Sequence, residues 1–234
     1  MLHLDHVTIA VRDLHNTMND IQKATGIEFS KSVIPFPGAI GQVAYLGTGF
    51  LELISLNDAN EACTTPLGAA FASYASQREG IFGVALEATG GLHTMIDAAR
   101  SQGVDFIGPN VQQAPLEDGT SIPFKTAFIG SHMPWLIEYE RSRTWPIPYA
   151  LSGVEIYTND IKRDVSAYAA AYQLAASTGS EGDGLSRKLI LDRGWLSLKH
   201  TDQPEKAGFN TIVVDKGEAS YRIQCLAQGI KVTS

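Results

Sequence analysis

Two ten-residue segments far apart in the chain repeat one another, and this repeat constrains the fold more than any other feature. Leu4 to Asp13 reads LDHVTIAVRD and Leu151 to Asp160 reads LSGVEIYTND, with Leu, Val, Ile and Asp in matching places. A second echo follows in the same order, GFLELIS over 49–55 and GWLSLKH over 194–200. Two echoes in register indicate a duplicated supersecondary unit. In each copy the alternating apolar residues predict a strand, and the stretches 14–25 and 161–176 that follow predict helices. A weaker copy lies between them. IFGVALEA over 81–88 predicts a strand and 91–102 a helix stopped by Gly103, before VDFIGPNV, a turn at Glu117-Asp118-Gly119, PFKTAFIG and PWLIEYE. A fourth start, GFNTIVVD at Gly208, is followed by a predicted helix over 218–228, closed by Gly229, and a short strand IKV. The reading is α+β: four βαβββ-type modules near 1–58, 80–142, 150–201 and 207–234, the last truncated.

The repeat also settles the meaning of the length. At roughly 150 residues per domain, 234 residues give an awkward value of about 1.6 domains, whereas four modules of this kind account for it. RSRTWPIPY over 141–149 carries two prolines and suits a semi-rigid linker. It divides the chain into two domains, 1–145 with two modules and 146–234 with two degenerate ones. Between the first two modules, 57–79 reads as a crossover containing a short helix, AAFASYASQ, and Ser177 to Gly184 reads as a flexible loop.

Charge and composition exclude several classes of function. Twenty-five acidic residues against 18 basic ones leave a net charge of -7, without a basic field for nucleic acid or a polybasic lipid patch. The N-terminal stretch has no cationic segment before an apolar run, so neither a signal peptide nor a membrane span is expected, and the expected compartment is the cytoplasm. The two cysteines, Cys63 and Cys225, lie far apart without metal spacing and read as reduced structural thiols.

Chemistry is expected where polar residues interrupt apolar strands. His6 shares a strand face with Thr8 and Ala10. A lone strand histidine is usually a hydrogen-bonded core or rim residue, but Glu52 interrupts FLELISL and Glu138 interrupts WLIEYE in the matching module. A carboxylate buried alone costs several kcal/mol, so each must be paired, hydrogen-bonded or metal-bound. Two carboxylates and a histidine form a reasonable set for Zn, Ni, Mn, Co or Fe. Gln42, His132, Arg141 and Trp145 are candidates for substrate contact, with Arg143 beside them, and Phe36, Tyr45, Phe124, Phe128 and Trp135 for a cavity wall.

These segments resemble the vicinal oxygen chelate superfamily and, within it, glyoxalase-like domain proteins. The resemblance rests on LDHVTIAVRDL, LGTGFLELISL, FGVALEATG, the EDG turn and PWLIEYE, and covers 1–145 best. It implies modules paired into incomplete barrels around a divalent metal, with His6, Glu52 and Glu138 as ligands and Gly83 at a fourth place that cannot ligate. The corresponding places in the second half are Gly153, Ser197 and Gly208, none a ligand. The implied activity is a metal-dependent lyase, isomerase or dioxygenase acting on a small oxygen-rich metabolite, with Glu52 and Glu138 catalytic. Its rivals are a metal-free protein that binds or sequesters a small molecule, and a scaffold whose site has decayed. A homodimer is among the assemblies expected.

Overall fold

The computed structural model describes residues 1–115, 121–130, 133–140, 144–175, 185–226 and 229–234. The first module is β1 (Leu2–Ala10), α1 (Leu14–Thr25), β2 (Lys31–Val33), β3 (Ala39–Leu46) and β4 (Gly49–Leu56). The crossover carries two helices, α2 (Ala59–Ala62) and α3 (Pro66–Gln77), where the sequence predicted one short helix over 69–77, all but the first turn of α3. The second module is β5 (Gly80–Ala88), α4 (Leu92–Ser101), β6 (Ile107–Pro115), β7 (Ser121–Phe128) and β8 (Trp135–Tyr139). The third is β9 (Ala150–Thr158), α5 (Ile161–Tyr172), β10 (Ser186–Ile190) and β11 (Trp195–His200). A 3₁₀ turn at Pro204–Lys206 precedes β12 (Gly208–Lys216), β13 (Ala219–Leu226) and β14 (Gly229–Thr233). The chain is α+β and strand-rich, built on the repeated module. Among the described residues no helix is long and apolar enough to cross a membrane.

Local chemistry explains where the helices begin and end. Asp13 and Asp160, the last residue of each sequence repeat, are the N-caps of α1 and α5, accepting hydrogen bonds from the Asn16 and Arg163 backbone N–H groups. Thr65 caps α3 in the same way, with Pro66 in the first turn. Gly26, at φ 74°, closes α1 in the left-handed conformation that costs glycine least.

The helix expected over 218–228 is not formed. Residues 219–226 are β13, which pairs antiparallel with β12 on one side and β14 on the other. Gly217, at φ 58°, lies in the two-residue turn between the paired Lys216 and Ala219. In ASYRIQCL the apolar positions Ile223 and Cys225 alternate with polar neighbours and are the buried ones, a period of two rather than 3.6. The fourth module is therefore a three-stranded meander.

Hydrogen bonding and packing divide the chain differently. The sheets are β2-β3-β4-β1-β5-β8-β7-β6 and β10-β11-β9-β12-β13-β14, so the sheet ladders change over at the predicted linker. The compact units cut across this division. One comprises Met1–Asp5, Val84–Arg143 and Gly153–Gly208; the other comprises His6–Gly83, Thr144–Ser152 and Phe209–Ser234. In the first, α4 packs on α5, and α5 on β10 and β11. In the second, α1 packs on β3, β4 and β14, joining the first module to the last.

Candidate functional site

Within the second unit, strand register assembles a polar pair between two apolar groups. β1 and β4 run parallel with His6 opposite Phe50 and Thr8 opposite Glu52. β3 runs antiparallel to β4 with Tyr45 opposite Phe50 and Val43 opposite Glu52. Because strand side chains alternate, His6, Thr8, Tyr45, Phe50 and Glu52 share one face, while Val7, Ile9, Leu51 and Leu53 fill the other and are wholly buried. Thr8 Oγ1 donates to Glu52 Oε2 at 3.1 Å. The His6 ring lies nearly parallel to Phe50, with centroids 4.4 Å apart. Tyr45 stacks on Trp145 at 4.6 Å, and Phe50 meets Tyr45 and Trp145 edge-on at 6.2 and 6.5 Å.

Trp145 reaches this group because the linker is tied to the β3–β4 turn. Its backbone N–H donates to the Gly47 carbonyl at 3.2 Å, and the Gly47 N–H donates to the Tyr149 carbonyl at 2.6 Å. A Cβ on Gly47 would lie 2.9 Å from that carbonyl oxygen, so only glycine allows so close an approach. At the other end of the face, Ala10 and Ile54 join Phe36, Ala39, Ala62 and Phe71 in a buried cluster that includes α3.

Glu52 thus stands between aromatic rings and an apolar floor. Burial pushes its carboxyl pKa up, and the charge of His6 and the Thr8 hydroxyl offset this only in part. The carboxyl therefore keeps its proton to higher pH than a solvated glutamate, and in that form it can donate a hydrogen bond as well as accept one. Tyr45, Phe50 and Trp145 are each half-buried, which leaves the aromatic end of the face open.

Glu138 is engaged elsewhere, within the first unit. Its Oε1 accepts from the Leu92 N–H at 2.9 Å and its Oε2 from Lys125 Nζ at 3.0 Å. Burial pushes its pKa up, but the Leu92 N–H, the Lys125 hydrogen bond and charge, and His93 outweigh this and hold it below the ordinary value. The sequence repeat explains its task. Counting from Gly83 as the counterpart of His6, the place of the N-cap Asp13 falls on Gly90, and α4 starts from Gly91 with no side-chain cap; Glu138 supplies the acceptor from β8.

Register separates Glu138 from Glu52. Ala85, the counterpart of Thr8, pairs with Trp135, so Trp135 holds the place of Glu52. Glu138 lies three residues further on, an odd step that turns its side chain to the other face. The two carboxyl groups are held by different partners, Glu138 by the Leu92 N–H and the Lys125 ammonium and Glu52 by the Thr8 hydroxyl. Among the described residues no three His, Cys, Asp or Glu side chains gather as they would around a metal ion.

Gln42 pairs in register with Leu53, on the face away from Glu52, and its Nε2 donates to Ser32 Oγ at 2.7 Å. His132 and Arg141 lie outside the described residues, as do Arg143, the Glu117-Asp118-Gly119 turn and the loop from Ser177. Sequence reasoning gave no role to Phe50 or to the hydroxyl of Thr8, although the alternation from His6 and Glu52 points to both.

The family model described as a glyoxalase-like domain matches residues 4–176. No curated protein sequence matches the chain. A hypothetical protein from Staphylococcus aureus shares the fold with a TM-score of 0.78 at 13% identity, covering 100% of this chain and 99% of that one. A variant of 4-hydroxymandelate synthase from Streptomyces coelicolor aligns with a TM-score of 0.56 at 14% identity, covering 86% of this chain and 63% of that one. Methylmalonyl-CoA epimerase from Mycobacterium tuberculosis aligns with a TM-score of 0.44 at 18% identity, covering 60% and 89%.

Proposed function

The chain belongs to the glyoxalase-like domain family of the vicinal oxygen chelate superfamily, and from that premise we propose that it binds a small oxygen-bearing molecule on the His6–Thr8–Glu52 face. The observation that carries this reading is a carboxyl biased toward its neutral form beneath a half-open ring of Tyr45, Phe50 and Trp145. A planar, conjugated part of the ligand would stack on the rings, and its carbonyl or hydroxyl oxygen would accept from the Glu52 O–H. Binding of this kind requires no metal.

A second reading, proton-transfer chemistry of the isomerase or lyase type, is favoured by the same carboxyl. A glutamic acid whose pKa moves toward the working pH is suited to general acid–base catalysis. Glu52 would give its proton to an oxygen or take one from an adjacent carbon, with Thr8 orienting the carboxyl.

Calorimetric titration of the full chain with a panel of aromatic and conjugated carbonyl compounds tests the proposal. We expect binding that survives dialysis against a chelator, is lost in Glu52→Ala, and weakens about tenfold in Tyr45→Ala, the loss expected of one stacking contact. Unchanged affinity in both variants overturns it, as does binding that disappears with the chelator and with Glu138→Ala. Turnover of a bound compound by the wild type and not by Glu52→Gln, which still binds it, would select the second reading.

A further inference from the structure

We propose that the first unit carries an independent ligand site, on the face shared by β9, β10 and β11, that takes a small planar carboxylate. Its register reproduces the first module. Gly153 lies opposite Trp195 where His6 faces Phe50, and Glu155 lies opposite Ser197 where Thr8 faces Glu52. One strand pair therefore holds a carboxyl and a hydroxyl in both modules, but the two groups have changed strands. The carboxyl has also changed character. Glu155 is 3% exposed, and Lys199 Nζ lies 2.7 Å from its Oε1, a cation placed to compensate a buried anion.

Trp195 forms the wall. A Cβ at Gly153 would fall 2.2 Å from the indole, so the ring lies directly against the backbone there. The Lys188 ammonium lies 4.3 Å from the indole centroid. Lys188 pairs in register with Ser197, and Lys199 is two residues beyond Ser197 on the same face. Ser197 is buried, while Lys188, Trp195 and Lys199 are half-buried. Glu155 accounts for one N–H of Lys199 and one of the two positive charges. Among the described residues, this face sets two ammonium groups against one carboxylate, with a hydroxyl beside an indole, which is a donor set for a carboxylate attached to a flat ring.

The test is calorimetric titration of the full chain with benzoate and other planar aromatic carboxylates, with benzamide as the uncharged control. We expect binding that weakens with salt and falls about tenfold in Lys188→Gln. Removing Lys199 alone would strand Glu155, so the double variant Glu155→Gln/Lys199→Gln is the second probe, with the same loss expected. The proposal is overturned if no carboxylate of the panel binds, if Lys188→Gln weakens benzamide as much as benzoate, or if Lys188→Gln and the double variant both bind like the wild type. Loss of carboxylate binding in Glu52→Ala with none in Lys188→Gln would also overturn it, by assigning the ligand to the other face.

Discussion

At the scale of the residue, the two carboxylates that the sequence treats alike are opposites. Both interrupt apolar strands, and both were expected to share a pocket. At Glu52 burial outweighs a hydroxyl donor and a neighbouring imidazole, so its pKa rises; at Glu138 an amide N–H and an ammonium outweigh burial, so its pKa falls. For an acid whose folded pKa is raised, the linked stability is fully present below the unfolded value, near 4.5, and is lost as pH rises through the folded pKa. Glu52→Gln keeps the shape and removes the titration. Its urea midpoint should therefore match or fall below that of the wild type at pH values under about 4.5 and gain on it steadily toward alkaline pH. Parallel slopes for the two proteins across that range would mean that Glu52 is as well solvated folded as unfolded. The residue types at this site were legible in the sequence, since a glutamate within FLELISL demands a partner. Which partner it finds was not, because that depends on the register between β1 and β4.

At the scale of the element, legibility followed the strength of the local signal. Asp13 and Gly26 bracket α1 so clearly that its sequence-predicted limits are the observed ones. The stretch 219–226 has no such bracket: Gly217 lies in the turn between β12 and β13, and Gly229, read as the end of a helix, is the first residue of β14. The same logic identifies what Glu138 does. The helices after β1 and β9 bring their own aspartate caps; the helix after β5 begins at Gly91 and borrows its acceptor from β8. Glu138→Ala should cost about 1–2 kcal/mol of unfolding free energy, most of it from the stranded helix N-terminus rather than from the half-exposed Lys125 pair. Because the folded pKa of Glu138 is lowered, this contribution is present above the unfolded value near 4.5 and fades as pH falls through the folded one. Denaturant titrations of wild type and variant at neutral and acid pH should show the gap closing on acidification. Glu138→Gln, which keeps an acceptor for Leu92, should lose less than Glu138→Ala; equal losses would assign the effect to Lys125.

At the scale of the whole molecule, the sheets suggest one way to divide the chain and the packing another. The ladders from β1 to β8 form one sheet and those from β9 to β14 another. Yet the unit that contains Glu52 is assembled from three separate stretches, 6–83, 144–152 and 209–234, and one side chain touches all three. Tyr149, buried in the linker, donates its hydroxyl hydrogen to the Thr25 carbonyl at the end of α1 and receives a hydrogen bond from Lys216 Nζ in β12, each at 2.9 Å. The repeat could not reveal this, since similarity between modules says nothing about which copies pack together. Tyr149→Phe should destabilise the protein by about 1–2 kcal/mol through the unsatisfied Thr25 carbonyl. Truncation is the sharper experiment. A fragment of residues 1–145 keeps every strand of its sheet but loses Tyr149 and β14, against which α1 packs. If packing rather than hydrogen bonding defines the folding unit, this fragment should unfold without a cooperative transition and expose apolar surface to a hydrophobic dye. A sharp thermal transition with helix content near that of the corresponding part of the full chain would instead make the linker the true boundary, and would place the Glu52 face in a domain able to stand alone.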